Sequence, residues 1–109
     1  MRDNVKGGAL TEVTFFILLA LYQPRHGYGI MQFIQDHTGG RLMLGAGTLY
    51  GALTTLQEKG WIEPCGEETD RRKLFHITPL GKTVAHRELT RLRRLADTAA
   101  TIIGGDTHD

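Results

Sequence analysis

Hydrophobic positions along the chain recur first at helical and then at strand-like spacing. From about Thr11 to Tyr22, Val13, Phe15, Phe16, Ile17, Leu18, Leu19, Ala20 and Leu21 leave no polar side to a helix. A helix apolar all round must be covered all round, which a small domain achieves with difficulty. A second copy of the chain is the simplest cover. Gln23-Pro24-Arg25-His26-Gly27 reads as a turn, because proline stops a helix and glycine permits reversal. A second helix, about Tyr28–His37, has Ile30, Phe33, Ile34 and His37 as its inner face and ends at Gly39-Gly40. The third helix lies in GTLYGALTTLQEKGWIE, Gly47 to Glu63, and stops at Lys59-Gly60. Leu49, Leu53 and Leu56 make its inner face, while Thr48, Gly51, Thr54, Thr55 and Glu58 make a small, polar outer one.

The period then changes. Trp61-Ile62-Glu63 is a short extended run ended by Pro64, and Arg72–Ile77 alternates around strand-forming residues. With the polar loop Gly66–Asp70 between them, the two runs predict a β-hairpin whose long tip is mobile. Thr78 caps and Pro79 opens a last helix, in which Leu80, Val84, Leu89, Leu92, Ala96, Ala99 and Ile103 form an apolar stripe. The expected fold is mostly α with a small β-hairpin wing (α+β). A winged helix-turn-helix with its N-terminal helix spans residues 1–78, a C-terminal dimerisation helix spans 79–103, and 104–109 form a disordered tail.

Composition changes this picture little. The 109 residues are 40% apolar and 23% charged, with a formal net charge of +1. That is one ordinary globular domain. The distribution of charge says more. Glu63, Glu67, Glu68 and Asp70 are followed by Arg71, Arg72, Lys73, Lys82, Arg87, Arg91, Arg93 and Arg94 against a single acid, Glu88. Such asymmetry points to an anionic partner, although the Arg87–Arg94 run reads equally well as a solvated face. The lone cysteine, Cys65, permits no intrachain disulfide and fits a reducing cytoplasm. The apolar run Val13–Tyr22 is too short to span a membrane and lacks a cleavage site after it.

In a winged helix-turn-helix the third helix offers its outer face to the DNA major groove. Small and hydroxyl-bearing residues allow close approach, and threonine can meet phosphate, base edge or thymine methyl. Thr48, Thr54 and Thr55 are therefore candidate contacts, as are Arg71, Arg72 and Lys73 on the wing, whose mutual repulsion a polyanion would relieve. Tyr50 is a further candidate beside the buried Leu49, and Trp61 is placed in the core at the base of the wing. No catalytic constellation emerges. Cys65 and His76 would be near each other on the hairpin but lack an orienting group, and His26, His37, His76, His86 and His108 show no metal spacing. Neither an enzyme nor a cofactor or metal protein is expected.

The segments ILLALYQPRHGYGIMQFI, GGRLMLGAGTLYGALTTLQEKGWIE and RRKLFHITPLGK, in this order, resemble the PadR family of transcriptional regulators over about Phe16 to Gly81. The single last helix resembles its short subfamily. Gly45-Ala46 stands where many relatives have Ser-Pro or Pro, and Thr54-Thr55 where basic residues are common. The resemblance implies a ligand-responsive repressor that binds double-stranded DNA, with Tyr28 of the HGYGI segment contacting phosphate. It also implies a homodimer formed through the first and last helices, here by Phe16, Leu18, Leu19, Leu89, Leu92, Ala96, Ala99 and Ile103. Short members stack planar drugs between aromatic residues of their final helices. This last helix has none, so a pocket for a small hydrophobic or aromatic effector would draw on Phe15 and Phe16. The rival reading, a winged helix that docks a protein without reading DNA, calls for an apolar patch on the third helix. Its outer face is instead Thr, Gly and Gln.

Overall fold

The computed structural model describes residues 5, 6, 8–66 and 73–107. A short antiparallel pair, β1 (Val5–Lys6) and β2 (Ala9–Leu10), leads into α1 (Glu12–Ala20). β3 (Arg25–His26), α2 (Gly27–Thr38) and α3 (Ala46–Glu58) follow, then β4 (Ile62–Cys65), β5 (Leu74–Ile77) and the long α4 (Pro79–Thr107). The three helices and two hairpin strands expected for the winged unit are present, followed by the expected last helix. Arg71 and Arg72 lie outside the described residues.

Three features depart from expectation. The segment read as a plain turn contains β3, which pairs antiparallel with β5 so that the sheet order is β3-β5-β4. A two-residue strand is too short to show a period of two, which explains its invisibility in the sequence. Pro64 does not end β4 but lies within it, opposite Phe75. A missing N–H is tolerated there because β4 is an edge strand. Finally, α4 continues past Ile103 through Gly104-Gly105 to Thr107. Glycine lowers helix propensity without forbidding the conformation.

Local chemistry sets the element ends. Thr11 caps α1, its Oγ1 accepting from the Thr14 N–H at 3.2 Å. Arg25 Nε donates to the Ala20 carbonyl at the end of α1 (2.8 Å). Gly39 ends α2 at φ 60°, a left-handed conformation open to glycine at little cost. Gly45 precedes α3 without a side-chain cap, in keeping with its departure from the Ser-Pro pattern.

The core joins Ile17, Leu18 and Leu21 to Ile30 and Ile34 of α2 and Leu49, Leu53 and Leu56 of α3, closed by Ile62, Phe75 and Ile77 of the sheet and Ala85 of α4. Leu18 has no exposed surface within one chain. It is therefore a core residue and cannot contribute contacts to a dimer interface, as its all-apolar helix had suggested. The same chain covers the Thr14, Ile17 and Leu18 side of α1, while Phe15, Phe16 and Leu19 remain partly open.

Two junctions fasten α4. The buried Thr78 donates its hydroxyl to the Gly60 carbonyl (2.6 Å), and the same oxygen accepts from the Gly81 N–H (3.0 Å). Its own N–H donates to the Trp61 carbonyl oxygen (3.0 Å). Gly81 passes so close to Trp61 that a Cβ would stand 3.0 Å from the Trp61 carbonyl carbon and 2.7 Å from Ile77 Cγ1. Two turns further along the helix, Glu88 is only 3% exposed. It accepts from the Leu10 N–H (3.3 Å) and from Arg91 Nε (2.9 Å) and Nη2 (2.7 Å). Hydrogen bonding from Arg91 holds the Glu88 carboxyl below its usual range, against the opposing effect of burial.

Gly81→Ala forces Trp61 or the start of α4 to move, at a cost of about 1–3 kcal/mol. Thermal melting should show the loss with secondary structure retained. Because the Glu88 carboxyl titrates lower in the fold than in the unfolded chain, its contribution is present above the ordinary carboxylate range, roughly pH 4, and is lost as pH falls through the lowered folded value. Glu88→Gln should therefore lower the melting temperature near neutrality, by about 1–3 kcal/mol in stability. Parent and variant melts should converge on acidification.

Candidate nucleic-acid interface

The outer face of α3 is as polar as its spacing requires. Leu49, Ala52, Leu53 and Leu56 are buried, and Gly47, Thr48, Tyr50, Gly51, Thr54 and Glu58 are exposed. Thr54 and Thr55 are not equivalent. Thr54 is exposed at the centre of the outer face, whereas Thr55 is half-buried at its flank. Each hydroxyl donates to the carbonyl four residues back, Thr54 to Tyr50 (3.0 Å) and Thr55 to Gly51 (3.2 Å). A hydroxyl whose proton is used in this way presents lone pairs and a methyl group. Those suit base amino groups and thymine methyls better than phosphate oxygens.

Groups able to donate to phosphate stand at the start of α2, on α3 itself and beside β5. Tyr28 at the start of α2 is 72% exposed and Tyr50 is 51% exposed. The Tyr50 ring lies against Gly27, where an added Cβ would fall 2.8 Å from its Cζ. Only glycine at that position lets the ring lie so close, which ties the HGYGI segment to the GTLYGAL segment. Lys73, exposed, enters from the wing just before β5. An open cleft of about 520 Å³ gathers Tyr28, Tyr50, Thr54 and Lys73, together with His26 and Gln57. Four of the residues expected from sequence thus converge from α2, α3 and the wing. Thr48, on the first turn of α3, and Thr55 do not line the cleft. Gln57 was readable as the residue three after Thr54 on the same helix face. His26 was not, because its place depends on the pairing of β3 with β5.

A second groove, of about 360 Å³, runs between α1 and α4. Phe15, Phe16, Leu19 and Leu92 line it, with the Glu88–Arg91 pair at its side. Along α4, Leu89 and Leu92 are over a third exposed, Ala99 is half-buried, and Ala96 and Ile103 are exposed. Leu95 and Ile102, seven residues apart, extend this apolar surface and were absent from the expected stripe. Arg91 is engaged by Glu88, so the basic run on α4 is partly structural.

No catalytic or metal centre forms among the described residues. Cys65 faces Leu74 across the ladder rather than His76, whose Nε2 bonds Glu63 Oε2 at 2.8 Å. Among these residues no His, Cys, Asp and Glu group could hold a metal ion, and no helix is long and apolar enough to cross a membrane.

Residues 17–87 match the transcriptional regulator PadR-like family. The chain is 38% identical over 86 residues to a 37.1 kDa protein of transposon TN4556 from Streptomyces fradiae. The match covers 78% of this chain but only 24% of that longer protein. Among solved structures, a transcriptional regulator from Clostridium thermocellum superposes with a TM-score of 0.66 at 26% identity, covering 86% of this chain and 90% of that one. A PadR family transcription regulator from Clostridium difficile gives 0.70 at 21% identity, with 85% and 99% covered. The helical winged fold and the sequence match agree: this chain belongs to the transcriptional regulator PadR-like family.

Proposed function

We propose that the protein is a cytoplasmic, ligand-responsive repressor that acts as a homodimer on double-stranded DNA. The observation that carries the reading is the single cleft gathering Tyr28, Tyr50, Thr54 and Lys73. A phenol donates to phosphate oxygens, an ammonium neutralises them, and the α3 face between them is small enough to enter a major groove. Two copies would place their α3 helices in successive grooves, about one helical turn apart. Arg71 and Arg72 would extend the wing contact, and Thr48 and Thr55 would flank it.

The dimer is supported by the partly open surface of Phe16 and Leu19 on α1 and of Leu89, Leu92, Ala96, Ala99 and Ile103 on α4. An effector, a small hydrophobic or aromatic molecule, would occupy the groove beside Phe15 and Phe16. It would act by favouring one arrangement of the two copies over another. The polar outer face of α3 speaks against a module that merely docks another protein.

Duplex binding should weaken steeply with salt, and Lys73→Ala should reduce the slope of log affinity against log salt by about one. Thr54→Asp should abolish binding while changing stability by no more than about 0.5 kcal/mol, since the site is exposed. Leu53→Ala, in the core, should cost roughly 2–5 kcal/mol and weaken binding only through unfolding. Gel shifts and melting curves on all three variants decide the matter. Unaltered binding by the Thr54 variant would remove α3 as the reader.

The dimer has its own test. Leu92→Asp combined with Ile103→Asp should give a folded monomer by sedimentation and circular dichroism. Leu18→Asp should instead unfold the chain, because it puts an unpaired charge in the core. A double variant that sediments as the parent does would exclude α4 from the interface.

A further inference from the structure

His26 lies on β3, opposite Leu74 of β5, and lines the same cleft as Tyr28, Tyr50, Thr54 and Lys73. Its ring Nδ1 is 3.3 Å from the backbone carbonyl oxygen of Lys73. A carbonyl can only accept, so Nδ1 carries the hydrogen in this bond. The other nitrogen, Nε2, has no partner among the described residues. We infer that His26 is a DNA-contact residue, holding the wing strand through Nδ1 and presenting Nε2 to a backbone phosphate, to which it donates only when the ring is protonated.

The chemistry follows from the tautomer. With Nδ1–H fixed on the Lys73 carbonyl, a neutral ring leaves Nε2 with a lone pair. A lone pair repels a phosphate oxygen. Protonation converts the same atom to an N–H donor that carries positive charge, the pairing that suits a phosphate. Histidine is the side chain whose charge ordinarily changes between about pH 5 and 8. The titratable or charged groups that share the cleft are Tyr28 of α2, Tyr50 of α3 and Lys73 beside β5, and no carboxylate lines it among the described residues. Arg25, the neighbouring residue on β3, carries its guanidinium over the Phe33 ring at 4.9 Å. His76 on β5 is occupied by Glu63 of β4.

The inference rests on the proposed DNA interface and adds to it a regulation by pH. The probe is a fluorescently labelled duplex selected by the parent protein from a random-sequence pool, titrated at constant ionic strength between about pH 8 and pH 5.5. The parent should bind about three- to tenfold more tightly at the acid end. His26→Asn keeps an N–H for the Lys73 carbonyl but cannot titrate. Whatever its affinity at about pH 8, it should show no gain on acidification. His26→Arg, charged throughout, should bind tightly across the range. The remaining histidines are present in every variant, so a pH dependence that persists in His26→Asn overturns the inference while leaving the DNA interface standing. Melting curves at each pH confirm that the variants are folded. If the selection returns no bound duplex, the DNA reading and this inference fall together.

Discussion

The four residues Leu74–Ile77 of β5 carry the constraint on which the other elements depend. This strand is the middle of the sheet, pairing with β3 on one side and β4 on the other. The N–H of Ile77 also donates to the Leu21 carbonyl just after α1, at 2.9 Å. Phe75 and Ile77 point into the core, and the chain passes directly from Ile77 through Thr78 into α4. A single short strand therefore fixes the end of α1, the start of α2 through β3, the wing through β4, and the root of α4. The residues assigned to the cleft lie on elements tied to β5, immediately before it, or on α3, which packs against α2 and β4.

The cleft divides its chemistry between two kinds of surface. Thr54 and Thr55 have used their protons internally, so that part of α3 offers acceptors, methyl groups and little bulk. Tyr28 on α2, Tyr50 a turn earlier on α3 and Lys73 beside β5 supply donors and charge. That division resolves the absence of basic residues at Thr54-Thr55. A helix that need not neutralise phosphate itself can approach base edges closely, provided its neighbours hold the backbone. The wing and the start of α2 are placed to do so.

Much of this was legible in the sequence because it rests on periodicity and punctuation. Leu49, Leu53 and Leu56 declared the inner face of α3, Gly39 and Lys59-Gly60 marked helix ends, and Thr78-Pro79 announced α4. Illegible features were those set by pairing between distant residues. β3 is two residues long and exists because Phe75 and Leu74 lie alongside it. Nothing in the periodicity of the last helix marks Gly81, whose tight place is set by the Trp61 carbonyl against it. Leu18 was misassigned because an all-apolar helix does not reveal which of its sides its own chain covers. Glu88 seemed a lone acid in a basic run, yet it is buried and bound to Leu10, seventy-eight positions away.

The connection between the cleft and the α1–α4 groove is short and made of backbone. From the last turn of α3, the Leu56 carbonyl accepts the Trp61 N–H at 3.0 Å, and the Trp61 carbonyl in turn accepts the Thr78 N–H at 3.0 Å. Gly81 then closes the first turn of α4 against Trp61 with no room to spare. Such a junction is stiff: its bonds are buried or half-buried, and its packing admits not even a methyl group. A stiff junction transmits the orientation of α4 to α3 but absorbs no bending. A molecule bound in the groove can shift DNA affinity only by contacting two arrangements of the protein unequally. If the junction within one chain has a single arrangement, those two states must differ in how two copies sit on each other. The proposed regulation is then a change in the distance and angle between two unchanged α3 helices, set by the apolar surfaces of α1 and α4 rather than by any deformation of the helix proposed to read DNA.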